Sequence, residues 1–132
     1  MRISRDRDGA LELRGRAWQE DGSLSARYWS EAVKERKEPS GVFCYWKGER
    51  PRDPNAPQLD GTGEILLESA DRAAGYFTTR SDAPASASTR TSGVYWRADQ
   101  EDCAAIMDGN DERRRAELIA ERLILWKSIT SA

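Results

Sequence analysis

SGVFCYWKGER, residues 40–50, is the stretch on which the fold turns: Val42, Phe43, Tyr45 and Trp46 crowd together and a cation, Lys47, follows at once. β-Branched and aromatic side chains suit a pleated, half-buried surface, so the stretch reads as a strand. Half a chain later SGVYWRAD, residues 92–99, repeats the arrangement with Arg97 behind the ring pair. The chain holds four adjacent aromatic pairs, Tyr28-Trp29, Tyr45-Trp46, Tyr76-Phe77 and Tyr95-Trp96. Neighbouring side chains on a strand point to opposite faces, so each pair sends one ring inward and one outward. A sheet buried on one face cannot bury both.

Working outward, ALELRGRAW (10–18) alternates, with Leu11, Leu13, Gly15 and Ala17 on one face and Glu12, Arg14 and Arg16 on the other. That is the pattern of a half-buried strand. QEDG is a turn signal, and SLSARYW alternates again, which predicts a hairpin. A helix over 23–37 competes, because Leu24, Tyr28 and Ala32 follow at intervals of four. KERKEPSG (34–41) reads as a solvated loop. PRDPNAPQLDGTG (51–63), with three of the five prolines and two glycines, reads as a long irregular one.

EILLES, AGYFTTR and SGVYWRA supply three further strands, and the tract SDAPASASTRTS (81–92), small and polar, is expected to be mobile. QEDCAAIMD predicts a short helix, capped by Asp99 with Asp102 three positions on and closed at Gly109. From Asp111 a longer helix sets Ala116, Ile119, Leu123 and Trp126 on one stripe, widened by Leu118, Leu125 and Ile129. The sum is a mostly β or α+β fold: about six short antiparallel strands forming a small barrel or sheet, with one or two C-terminal helices packed on it. In architecture alone, short aromatic strands and a terminal helix, this resembles lipocalin-like small barrels.

At 132 residues the chain suits one domain, 1–132, with a single core. Five Trp, four Tyr and two Phe set it apart from disordered chains despite 33% charged residues. Lys plus Arg is 21 against 23 Asp plus Glu, a net charge of -2, so no bulk attraction to nucleic acid or an anionic membrane is expected. No stretch approaches the roughly 20 apolar residues that span a bilayer. MRISRDRDGALELRG lacks the apolar run of a signal peptide, which predicts a cytoplasmic location. Cys44 and Cys103 lack CxxC spacing and are expected to be buried free thiols.

The chain has no histidine. Ser-His and Cys-His nucleophiles, His-ligated zinc and the commonest general base near neutral pH are therefore excluded. No catalytic residue and no cofactor is indicated. The recurrence of cation after ring pair points to a non-enzymatic ligand-binding or sensor module, with Trp46, Lys47, Arg50, Arg80, Trp96 and Arg97 holding a small anionic ligand, nucleotide-like in combining a flat ring with charge. The competing account is that the rings are packing, covered by the last helix.

Two other classes stay open. One is a protein-interaction module docking through the last helix or exposed aromatics. The other is a histidine-free hydrolase with Mg²⁺ on Asp60, Glu64, Glu68 and Asp71, although the ExK element of restriction-type nucleases is missing. Arg113, Arg114 and Arg115 stand at a helix start that disfavours cations, so solvent or neighbouring carboxylates are expected to hold them.

Overall fold

The computed structural model describes residues 1–80, 89–97 and 100–130, without the side chains at 80, 89, 96, 100 and 122–130. Among the described residues seven strands are followed by two helices: β1 (Arg2–Arg5), β2 (Leu11–Trp18), β3 (Leu24–Lys37), β4 (Ser40–Glu49), β5 (Leu59–Leu67), β6 (Arg72–Arg80), β7 (Thr89–Trp96), α1 (Gln100–Met107) and α2 (Glu112–Thr130). Each strand pairs antiparallel with the next, in chain order from β1 to β7, and the sheet is not closed into a barrel.

Three local readings change. The additional strand is β1, RISR, whose one large apolar residue, Ile3, gives no alternation to detect; its register against β2 runs from Arg2 opposite Arg14 to Arg5 opposite Leu11. Residues 24–37 form one long strand, so the helix is excluded and the supposed loop at 34–41 shrinks to Glu38-Pro39, joined by a cis peptide bond. A bulge between Ser30 and Ala32 resets the pairing with β4 midway along β3. The irregular segment after β4 ends at Leu59, and Gly61 and Gly63 lie inside β5.

One face carries the core. Leu13, Val42, Cys44, Trp46, Leu59, Ile65 and Ala73 form its buried cluster, with Leu11, Tyr28, Val33, Phe77 and Tyr95 packed against it. In β4 burial alternates strictly from Val42 to Gly48, as the period-two pattern requires. The helices close one end: Met107 and Leu118 are buried, and the Asp111 carboxylate accepts from the Arg114 backbone N–H at 3.0 Å, capping α2. The backbone N–H groups of Asp108 and Gly109 both donate to the Ala104 carbonyl, which ends α1 where Gly109 predicts. The expected cap Asp99, residues 81–88 of the tract and the side chains of Leu123, Leu125, Trp126 and Ile129 lie outside the described residues, whereas residues 89–92 of that tract are not a loop but the start of β7.

Candidate functional site

Four inward rings run across the core face. Tyr28 meets Trp46 edge to face (centroids 5.3 Å apart, planes at 89°), Trp46 meets Phe77 (6.5 Å, 78°), and Phe77 meets Tyr95 (6.1 Å, 84°). Such contacts match the positive edge of one ring to the negative face of the next. Glycine stands opposite three of these rings on an adjacent strand: Gly48 opposite Tyr28, Gly61 opposite Trp46 and Gly63 opposite Phe77. A Cβ would fall 2.7 Å from Tyr28 Cδ1 at Gly48, 2.9 Å from Trp46 Cζ2 at Gly61, and 2.5 Å from Phe77 Cδ1 at Gly63. The rings lie down over positions that only glycine leaves open.

Above these rings is a concavity of about 370 Å³, lined also by Leu13, Gly15, Ser30, Cys44, Thr79 and Thr91, with Met1 and Arg16 contributing to the wall. Burial pushes the Tyr28 and Tyr95 hydroxyls and the Cys44 thiol up from their ordinary pKa values, so all three are neutral near neutral pH. The Trp46 indole N–H donates to the Thr62 carbonyl at 3.3 Å, and the Ser30 hydroxyl accepts from the Leu13 N–H at 2.9 Å. What remains is an apolar, π-rich surface with a few neutral polar atoms, and Arg16, which belongs to the other face of β2, stands at its margin.

The sequence-derived site residues do not gather in one place. Trp46 lies on the inner face, 6% exposed, and lines the concavity, whereas Lys47 lies on the outer face, in register with Trp29 and Asp60 and 3.8 Å from Glu31. Arg50 is exposed just past β4, where its charge acts on the Tyr28 hydroxyl, while Arg97 is exposed beyond β7 with its backbone N–H donating to the Asp71 carbonyl at 2.9 Å. The side chains of Arg80 and Trp96 lie outside the described residues.

Three of the rings that point outward are engaged with charge. Trp29 donates to Glu31 at 3.1 Å, Tyr45 to Asp60 at 3.1 Å and Tyr76 to Glu64 at 3.3 Å, and the Arg90 guanidinium sits 4.0 Å from the Tyr76 centroid. Glu64 is bridged by Arg36 at 2.5 Å and Glu68 by Arg72 at 3.0 Å. Among the described residues no three His, Cys, Asp or Glu side chains are grouped to hold a metal ion, and no helix is long and apolar enough to cross a membrane.

Sequence reasoning missed Tyr28, Phe77, Tyr95 and Arg16 as lining residues. The signal available for the rings was the glycine spacing in DGTGE, where Gly61 and Gly63 fall on one face of a strand. No family model matches this chain, and neither a curated protein nor a solved structure does.

Proposed function

We propose that the protein is a non-enzymatic ligand-binding or sensor module whose aromatic concavity takes a small, flat, largely apolar molecule. The observation that supports this is the row Tyr28–Trp46–Phe77–Tyr95, its first three rings laid over glycines, beneath a concavity of about 370 Å³. A core built only for packing gains from rings that interdigitate with large neighbours. These rings instead cover gaps left by glycine and present surface to an open space. That volume falls within the roughly 300–1,000 Å³ common for small-molecule sites, and stacking on a ring is worth about 1–3 kcal/mol.

The test is a thermal-shift and tryptophan-fluorescence titration with flat probes, 1-naphthol and riboflavin, on the full chain. Binding raises the melting temperature by mass action, and contact with Trp46 alters indole emission. Phe77→Leu is expected to weaken binding while keeping an apolar core residue. No shift and no change in emission with either probe sinks the reading. It leaves the interaction module, for which Phe43 and Tyr45, 44% and 37% exposed and two positions apart on β4, are the candidate contacts.

A further inference from the structure

We propose that the outer face of β1–β3 is a binding site for a multiply charged phosphate anion, held between two opposed pairs of arginines. In the strand register Arg2 stands directly opposite Arg14, and Arg16 directly opposite Arg27. Arg14 and Arg16 are two apart on β2, so all four belong to one face. Like charges directly opposite in an antiparallel pair are destabilising, and here two such pairs adjoin.

The protein offsets this only in part. Asp108 receives Arg2 at 2.8 Å, and the Met107 carbonyl at the end of α1 receives Arg16 at 2.5 Å. Arg14 lies 3.6 Å from Glu12, and Arg27 3.5 Å from Glu49. Both distances exceed those of a charge-assisted hydrogen bond. A concavity of about 490 Å³ opens here, walled by the four arginines with Glu12, Asp108 and Trp29. Four guanidiniums against two lining carboxylates leave +2, or +1 when Glu49 is included.

That excess stands on a chain whose net charge is -2, so it is a local arrangement and not a consequence of composition. Guanidiniums match phosphate oxygens in bidentate fashion, and each carries five N–H donors. Arg14 and Arg27, with side chains 69% and 48% exposed, are the two that an anion would draw in. The site adjoins the aromatic concavity, and the two share a wall at Leu13, Gly15, Arg16, Tyr28, Trp29 and Ser30. β1 reaches only to the level of Arg14, so β2 beyond it forms the margin between them.

The experiment titrates the full chain with sodium pyrophosphate by calorimetry at low and at 0.5 M added salt (about a 4 Å screening length), and repeats it with the Arg14→Gln/Arg27→Gln double variant. The wild type is expected to bind, with affinity falling as salt rises. The variant is expected to lose about tenfold or more, because two bidentate partners are gone. Without anion the variant is expected to melt no lower than the wild type, since a like-charge pair has been relieved in each case. A variant that melts lower shows that the arginines are structural and overturns the proposal, as does a wild type that ignores pyrophosphate or a variant that binds it equally. Titration of 1-naphthol in the same variant separates the two sites: unchanged naphthol binding with lost pyrophosphate binding places the anion at the arginines alone.

Discussion

The guanidinium carbon of Arg115 lies 3.9 Å from the centroid of the Trp18 ring, which makes this side chain the joint between sheet and helices. Arg115 is 5% exposed, and its nitrogens donate to the carbonyls of Gly22 at 2.9 Å, Ile106 at 2.9 Å and Gly109. The β2–β3 turn, the end of α1 and the start of α2 meet on one cation. This explains an arginine at a helix start: the ring face and the carbonyls closing α1 supply the negative potential that the start of α2 lacks. Its neighbours follow the simpler expectation, since Arg113 and Arg114 each reach Glu117 at 3.6 Å.

Arg115→Met is therefore expected to destabilise by about 3 kcal/mol, because three carbonyls around a buried side chain lose their charged donors. Arg115→Lys should recover only part of this, as an ammonium cannot span the three directions of the fork. Urea denaturation gives the answer. A loss below about 0.5 kcal/mol, the usual range for surface substitutions, would mean that the helices dock without it.

The glycines of the core face make a graded prediction. A Cβ at Gly93 would meet Tyr95 at an ordinary 3.4 Å, one at Gly63 would meet the Phe77 ring at 2.5 Å, and one at Gly75 would run into the backbone carbonyl of Glu64. A ring can rotate aside, whereas a paired strand cannot. Alanine is expected to be tolerated at Gly93, to cost about 1–3 kcal/mol at Gly63, and to cost most at Gly75. Thermal melts of the three variants that fail to follow this order would show that the rings are not seated on the glycines.

Much of the fold was legible because its signals are local. Period-two burial in β4, the opposed faces of β2 and the start of the last helix after Asp111 depend on near neighbours alone. β1 was hidden because RISR has too few apolar residues to alternate, and its pairing with β2 is a backbone matter. The site was less legible for a different reason. Adjacency suggested that Trp46 and Lys47 act together, yet adjacency on a strand is what separates two side chains. The residues that do meet, such as Arg16 and Arg27 or Trp46 and Gly61, are joined by cross-strand register, which no single strand records.

The two thiols are expected to react in sequence. Cys44 is 2% exposed and burial pushes its pKa up, so little thiolate forms and a reagent cannot reach it, whereas Cys103 is only half-buried. Iodoacetamide at pH 8 should label Cys103 first and Cys44 at the rate of unfolding, read by peptide mass spectrometry. The raised folded value also sets a sign: the Cys44 contribution to stability is whole below the ordinary thiol pKa near 8.5 and is lost as pH rises toward the folded value. Equal labelling of both cysteines in the native protein would contradict the burial of Cys44.

Acid should release α1 before it unfolds the sheet. The hydrogen bond from Arg2 holds the Asp108 carboxyl below its ordinary pKa, with the nearby charges of Arg2 and Arg16 adding to the effect. A carboxylate depressed in the folded state contributes stability that is present above the unfolded value near 3.9 and lost as pH falls through the folded one. Arg2 belongs to β1 and Asp108 follows α1, so this pair ties the first strand to the first helix. Both side chains are half exposed, so the expected effect is local fraying and not global unfolding. Amide exchange in α1 should quicken as pH drops below about 4, after correction for intrinsic rates, while exchange in β4 and β5 stays slow. Asp108→Asn should show the quicker α1 exchange already at neutral pH and respond little to acid. An α1 whose protection changes in parallel in the variant and the wild type would show that another group carries the acid response.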